Sequence, residues 1–181
     1  FSENLFKSYA ASMAAEIAIK TECAGDLSAF WPLFNSLFDG MELSDETQSR
    51  VGFLRFLWRF IQVSGIMPDT TTCPYCEQSL INENQNLEIS LLKNELYYYN
   101  VNENNFLCSD CADAHVNQTL LPVKSGALYY LWAVSNLNAK DARRFPLDEE
   151  GFLQIRKIVY EMTKLACNTR LNTLETGMGI L

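Results

Sequence analysis

The 181-residue sequence lacks the features by which most enzymes are recognised. It contains a single histidine, His115, so a Ser-His or Cys-His catalytic pair would have to use that one residue. A glycine-rich phosphate-binding loop and a G-x-S-x-G nucleophile turn are both absent. The sequence therefore predicts a protein that is not an enzyme.

Long apolar runs are also missing. The longest stretch without a polar residue is GALYYLWAV, residues 126–134, which is well short of the roughly 20 residues needed to cross a bilayer. Near the start, no basic segment precedes an apolar segment and a small-residue cleavage site. Because free thiols persist in a reducing compartment, we expect a soluble cytoplasmic protein without membrane association.

Basic residues are scarce, with 14 Lys and Arg against 22 Asp and Glu and a net charge of -8. The imbalance lies in residues 1–122, which carry 6 basic and 16 acidic side chains, whereas residues 123–181 carry 8 and 6. Since contacts with DNA phosphates require a basic surface, we do not expect this chain alone to bind DNA tightly. The densest basic cluster, Lys140, Arg143 and Arg144, could meet phosphate or an acidic partner, or form a solvated helix face.

Apolar residues at three- and four-residue spacing predict helices in the first part of the chain. The first covers residues 3–20, and the second runs from Leu27 to Asp39-Gly40. A third helix begins after the capping residues Ser44 and Asp45 and stops at Gly65.

The middle of the chain has the composition of β-structure. Residues 87–91 alternate between apolar and polar, and ELYYYNV and FLC are rich in residues that favour strands. Beyond them we expect a short helix at ADAHVNQ, one capped by Ser125, and one that Asp148 caps and that continues to Leu165. The last residues, CNTRLNTLETGMGIL, show no period and are predicted to fray.

Four of the six cysteines form two Cys-x-x-Cys pairs across 31 intervening residues. A Cys-x-x-Cys turn presents two sulfurs from one knuckle, so two knuckles complete a closed tetrahedral site for Zn²⁺. The spacer exceeds the roughly 15 to 20 residues usual for zinc ribbons, so we expect a longer hairpin or an inserted loop. Because four thiolates leave no open coordination position, the metal would be structural. The predicted ligands are Cys73, Cys76, Cys108 and Cys111.

Other interpretations of the cysteines remain open at this point. Cys73 and Cys76 could form a reversible disulfide, the four thiols could be unrelated buried side chains, and the metal could be iron. His115 could replace one sulfur ligand. Cys23 and Cys167 lie in helical patterns and are predicted to be small buried hydrophobes.

The predicted fold class is mainly α: a helical bundle with an inserted four-cysteine, zinc-ribbon-like β-hairpin. The helical body comprises residues 1–70 and 119–181, and the cysteine insert comprises residues 71–118. Because no linker composition interrupts the sequence, we expect one compact domain overall.

Three segments in order, GIMPDTTTCPYC, LCSDCA and SGALYYLWAV, resemble the C-terminal domain of the RecO family of DNA repair proteins. The resemblance covers roughly residues 5–170. It extends to a helix that ends in Gly-x-x-Pro-Asp ahead of the first knuckle and to the start of the helix after the second. The residues that carry it are Phe56, Leu57, Arg59, Gly65, Pro68, Asp69 and Ser125-Gly126-Ala127-Leu128.

The resemblance implies a recombination mediator, found with the bacterial nucleoid, that associates with RecR, engages the single-stranded DNA-binding protein SSB and helps RecA load at gaps. It implies an N-terminal OB-fold of about 80 residues ahead of Phe1, through which single-stranded DNA would mainly bind. In the family the helical domain takes the acidic, Phe-terminated SSB tail into an apolar pocket edged by basic groups. Arg55 and Arg59, four apart among Phe56, Trp58 and Phe60, fit such an edge. Helical spacing favours core packing for the aromatic residues, and Arg59 could instead form an ion pair or brace the helix against a loop.

A second class of function uses the same cysteines. A stand-alone four-cysteine zinc module can bind nucleic acid or protein directly, as zinc ribbons do. For nucleic acid, that function requires a basic face beside the knuckles.

Overall fold

The computed structural model describes residues 4–81, 95–115, 117–177 and 179–181. This part of the chain is mainly helical and contains one three-stranded antiparallel sheet, which confirms the predicted fold class. In chain order the elements are α1 (Leu5–Lys20), α2 (Leu27–Leu43), α3 (Glu46–Val63), β1 (Leu96–Asn100), β2 (Asn105–Leu107), α4 (Ser109–Asp113), β3 (Leu120–Lys124), α5 (Ser125–Asn136), α6 (Ala139–Ala142), α7 (Glu149–Cys167) and α8 (Asn172–Thr176).

Contacts within the chain divide it into two compact units. The first comprises residues 1–66 and 163–181, and the second comprises residues 67–162. The predicted division into a helical body and an insert of one compact domain stays a prediction. Residues 119–162, which follow the cysteines in the chain, belong to the same unit as the cysteines, because β3 pairs with β1.

The helix starts of the first unit are set by polar caps. Side chains of Asn4, Asp26 and Asp45 accept hydrogen bonds of 2.8–3.1 Å from backbone N–H groups in the first turns of α1, α2 and α3. These bonds satisfy donors that a helix cannot pair internally. At the other end of α3, Gly65 adopts φ +73°, a left-handed conformation that glycine adopts without strain. The predicted cap at Asp45 and the predicted stop at Gly65 are thereby confirmed, whereas Ser44 ends α2 and is not the cap of α3.

Helix α2 is longer than predicted and extends past Gly40 to Leu43. Met41 is buried at the spacing of Phe30 and Leu37, so side-chain packing carries the helix through the glycine. Pro32 lies inside the helix. It is exposed, so water can reach the carbonyl that its missing N–H leaves unpaired.

Aromatic side chains form the core of the first unit. Phe30 meets Phe56 and Phe60 edge to face, each at a centroid distance of 6.1 Å, and Phe6 meets Phe53 in the same way. Trp58 is completely buried in the same helix. Edge-to-face pairs stabilise a core by more than their buried area alone. Ring contacts with both α1 and α2 therefore stabilise α3.

The C-terminal segment does not fray as predicted but forms α8 and packs against α1 and α3 within the first unit. Both carboxylate oxygens of Glu16 accept hydrogen bonds of 2.9 Å from the backbone of Asn172 and Thr173 at the start of α8. Arg50 donates to the carbonyl of Ile180 at 2.7 Å, and Leu181 is buried. The C-terminal segment is therefore held by Glu16 and Arg50, which lie more than 100 residues earlier in the chain. The local sequence pattern does not predict these contacts.

We expect the contact between Glu16 and α8 to weaken in acid. Burial raises the pKa of Glu16, but hydrogen bonds from Lys20, Thr173 and Asn172 outweigh it and bring the pKa from 4.5 to about 2. A lowered pKa means stability that is present above pH 4.5 and lost as the pH falls towards 2. At pH 7, Glu16→Gln should lower the free energy of unfolding by about 1–2 kcal/mol after allowance for solvent screening.

Denaturant unfolding of wild type and Glu16→Gln across this pH range tests the prediction. The difference between them should narrow below pH 4.5, while Glu22→Gln, at an exposed position, should match wild type throughout. A gap that stays constant down to pH 2.5 would show that the Glu16 carboxylate does not stabilise the fold.

The second unit is built on a sheet with strand order β2-β1-β3. Tyr99 of β1 lies opposite Phe106 of β2 and Leu121 of β3. The strands at ELYYYNV and FLC are confirmed, while the strand expected over residues 87–91 lies outside the described residues. The sequence did not predict β3, because Pro122 argues against a central strand and is tolerated here only at the sheet edge.

The helices of the second unit begin close to the predicted positions. Helix α4 starts directly after Cys108 and is shorter than the helix predicted at ADAHVNQ. Ser125 is the first residue of α5 and does not cap it, since the chain enters the helix straight from β3. Asp148 accepts a hydrogen bond of 2.7 Å from the backbone of Gly151, which confirms it as the cap of α7.

Candidate metal centre

The first cysteine pair lies in a tight reversal of the chain. The carbonyl of Cys73 accepts a hydrogen bond from the Glu77 amide, and the Cys73 amide donates to the carbonyl of Gln78, both at 2.9 Å. Glu77 adopts a left-handed φ of +59°, which turns the backbone back on itself. This knuckle places the thiols of Cys73 and Cys76 on one side of the turn, as a metal-binding Cys-x-x-Cys requires.

The second pair occupies the junction between β2 and α4. Cys108 follows the strand in extended conformation, and its carbonyl accepts a hydrogen bond of 3.0 Å from the Ala112 amide. Cys111 lies one turn further on the helix. Because Cys108 and Cys111 are three residues apart at a helix start, their side chains fall on the same face.

The two knuckles bring all four sulfurs together. The Sγ atoms lie within 4.8 Å of one another, and those of Cys76 and Cys108 are 3.6 Å apart. A tetrahedron with metal–sulfur bonds of about 2.3 Å has sulfurs roughly 3.8 Å apart. The donor set and its spacing therefore fit a tetrahedral metal ion such as Zn²⁺.

The thiols also show why a cation would stabilise this arrangement. Burial raises the pKa of Cys73, but N–H groups of Cys108, Tyr75 and Cys76 bring it down to about 6. Burial raises the pKa of Cys108 and of Cys111, and neighbouring sulfurs raise that of Cys111 further. The cluster thus favours one thiolate by itself, and a divalent cation supplies the charge that several thiolates require.

We therefore expect metal binding to release protons. The pKa of Cys73 is lowered and those of Cys108 and Cys111 are raised, so coordination should remove protons mainly from Cys108 and Cys111, and about two or more protons should leave per ion bound. Calorimetric titration of the metal-free chain in buffers of different ionisation enthalpy measures this number. Proton release near zero would contradict coordination by these thiols.

His115 lies beside the cluster of four cysteines. Its Nδ1 is 2.8 Å from the carbonyl of Cys111, and since a carbonyl only accepts, this nitrogen carries the proton and donates. The imidazole packs on the Tyr75 ring at a centroid distance of 4.3 Å. The compact donor group formed by described residues contains the four cysteines alone.

A polar network that the sequence did not indicate joins the first knuckle to the hairpin. The Tyr75 hydroxyl donates to the Glu103 carboxylate, which also accepts a hydrogen bond of 2.9 Å from Gln118. Gln118 in turn accepts from the fully buried Asn100. Hydrogen bonds around metal ligands orient them, so this network holds the two halves of the centre in register.

The other two cysteines lie outside this group. Cys167 is buried in α7, and burial raises the pKa of its thiol to about 11, as expected for a small apolar side chain. Cys23 is partly exposed in the short turn between α1 and α2, so the prediction that it is a buried hydrophobe in a helix is wrong. Neither was predicted as a ligand.

Arg55 and Arg59 both lie part-exposed on α3 in the first unit. They form one row with the half-buried Val51 and Val63, at four-residue spacing. The neighbouring aromatic side chains belong to the core, with Phe56, Trp58 and Phe60 at most 5% exposed. Burial lowers the pKa of the Arg59 guanidinium.

The basic cluster predicted at Lys140, Arg143 and Arg144 lies in and just after α6. All three side chains are exposed, and Arg144 is 3.5 Å from Asp141 in an open ion pair. Such a pair contributes little to stability, so the cluster belongs to the solvated surface of the second unit.

Fold and site together define a helical protein with a small sheet and a four-cysteine centre formed by two knuckles. The chain matches the family described as "Recombination protein O C terminal" over residues 2–175, and it belongs to this family. Membership implies a role in DNA recombination and repair. No curated protein and no solved structure matches the chain. None of the helices described is long and apolar enough to cross a membrane.

Proposed function

We propose that this chain is the protein-interaction module of a RecO-like recombination mediator, which engages RecR and the acidic tail of SSB and thereby helps RecA load on single-stranded DNA. The observation that carries the proposal is the family match over residues 2–175. The chain acts by binding and not as an enzyme. It works in the cytoplasm at the bacterial nucleoid.

The row on α3 supports a contact with an acidic tail. Arg59 is half-buried, and a carboxylate that meets a partly dehydrated guanidinium forms a stronger bond than one in open water. Val51 and Val63 at the ends of the row offer apolar surface for an aromatic side chain. The buried aromatic residues of α3 support the row from behind.

The metal in this proposal is one structural Zn²⁺ held by Cys73, Cys76, Cys108 and Cys111. Four sulfur donors leave no open position on a tetrahedral ion, so the ion would stabilise the knuckles and take no part in chemistry. It would fix the first knuckle against the junction of β2 and α4, because each knuckle contributes two ligands.

A zinc module that binds nucleic acid directly is less well supported. Residues 71–118 contain seven acidic residues and one basic residue, Lys93. A surface of this sign repels phosphate. We therefore propose that single-stranded DNA binds mainly elsewhere in the mediator and only weakly to this chain at physiological salt.

The test is a fluorescence-anisotropy titration of the metal-loaded chain with a labelled SSB C-terminal peptide. We expect micromolar affinity that disappears when the terminal Phe is removed from the peptide. Arg59→Ala should weaken binding by about tenfold, which corresponds to roughly 1.4 kcal/mol.

Arg143→Ala is the matched control, because Arg143 is an exposed arginine in the other unit. It should bind the peptide as wild type does. Equal losses in Arg59→Ala and Arg143→Ala would show general charge attraction and contradict a site on α3. No binding by the folded, metal-loaded chain would contradict the SSB contact, and RecR would then be titrated in the same way.

A further inference from the structure

The apolar face of helix α2 is wider than the part that packs into the core. Leu27, Trp31, Phe34 and Phe38 follow one another at spacings of four, three and four residues, which aligns them along one side of the helix. Leu27 is 61% and Trp31 54% exposed, whereas Phe34 and Phe38 are half-buried. We call these four residues the outer row.

The rings of the outer row are packed against one another. Trp31 stacks on Phe34 at a centroid distance of 5.9 Å with 16° between the planes, and Phe34 lies 4.6 Å from Phe38. Phe34 also contacts the buried Phe30 at 5.9 Å, which connects the row to the core. The side chains of the outer row are therefore already ordered, so binding of a partner would cost little of their conformational entropy.

Carboxylates border the outer row. Glu42 continues it four residues beyond Phe38, and Asp39 lies three residues before Glu42 on the adjoining side. Neither forms an ion pair with any residue in the described part of the chain. Residues 21–49 as a whole contain six acidic residues and no Lys or Arg.

We propose that the outer row of α2 is a docking surface for an amphipathic helical segment of a protein partner, with apolar side chains on one face and Lys or Arg beside them. The apolar face would cover Leu27, Trp31 and Phe34, and the cations would pair with Asp39 and Glu42. Aromatic anchors with a charged border are the usual anatomy of such an interface.

The negative charge of Asp39 and Glu42 distinguishes the outer row from the contact proposed on α3, which is bordered by arginines. An acidic tail fits the arginines of α3 but is repelled by Asp39 and Glu42, and nucleic acid is repelled in the same way. The inference is thus independent of the SSB contact, and either can fail without the other.

The test uses a synthetic helical peptide of leucine and lysine, four turns or about 14 residues long, with leucines at three- and four-residue spacing. The peptide is titrated against the full, metal-loaded chain. We expect Trp31→Ala to weaken binding of the peptide about tenfold. The double variant Asp39→Lys/Glu42→Lys, which keeps Trp31, should weaken it by a similar factor. Raising the salt from roughly 0.05 to 0.5 M should weaken binding to wild type more than to the double variant.

Two controls decide the outcome. Leu43→Ala removes a leucine of the same helix that is 88% exposed but lies off the outer row, and it should bind as wild type does. The same peptide with glutamate in place of lysine should not bind. Equal affinity in Trp31→Ala, equal affinity for the glutamate peptide or no binding at all would overturn the proposal. Sedimentation that shows a dimer in wild type and a monomer in Trp31→Ala would overturn it too, since a second copy would then cover the row.

Discussion

Cys108→Ala should lose the metal and loosen the second unit while the first unit stays folded. The substitution removes one of four sulfurs that lie within 4.8 Å of one another, and the remaining three cannot close a tetrahedral site. Binding energy at a structural metal site is folding energy. We expect a loss of about 3 kcal/mol or more, which is roughly 6–12 °C in melting temperature for a chain of this size.

Hydrogen exchange read by mass spectrometry localises this effect. Protection should fall in peptides from residues 71–81 and 95–115, and helices α1 to α3 should keep theirs. Cys23→Ala is the matched control, because Cys23 lies outside the cluster. Full metal content and unchanged melting in Cys108→Ala would contradict a four-thiolate centre.

Trp58→Ala should destabilise the first unit strongly, whereas Trp31→Ala should not. Trp58 is completely buried on α3, and removing a buried tryptophan costs about 3–5 kcal/mol, through lost burial and the cavity left behind. Trp31 is 54% exposed on α2, so the same substitution there should cost less than about 1 kcal/mol. Chemical denaturation of both variants measures the free energies of unfolding.

The comparison between the two tryptophans also tests how α3 is used. If the aromatic residues of α3 lined a surface pocket for the SSB tail, Trp58→Ala would reduce peptide binding and leave stability nearly unchanged. Because Trp58 is buried, we expect Trp58→Ala to lower the free energy of unfolding strongly. Trp31→Ala must stay folded for its effect on the docking of a basic peptide to be meaningful, so its melting curve is the control for that experiment.

The cysteine centre could be predicted because its chemistry imposes a spacing on the sequence. Two Cys-x-x-Cys pairs have few uses in a chain with one histidine, and the structure brings their sulfurs together. Caps were predictable for the same reason, since Asp45 and Asp148 act on residues within one turn. In each case the signal and its cause lie close together in the chain.

The features that sequence analysis missed depend on distant partners. Strand β3 forms because it pairs with β1, whereas Pro122 in the sequence argues against a strand at this position. The C-terminal segment is ordered by Glu16 and Arg50, which lie more than 100 residues earlier. The hydrogen bond of Tyr75 to Glu103 joins the first knuckle to the turn between β1 and β2, which is 28 residues further along the chain. Composition and periodicity carry no information about contacts of this kind.

The metal-to-protein ratio, measured together with the number of reactive thiols, tests the central claim most directly. Elemental analysis of the purified chain should find one zinc per molecule. Alkylation under native conditions should modify Cys23 readily, the buried Cys167 slowly and the four cluster thiols only after metal is removed. Substoichiometric metal, with rapid alkylation of all four or with a disulfide between Cys73 and Cys76, would contradict a structural metal centre.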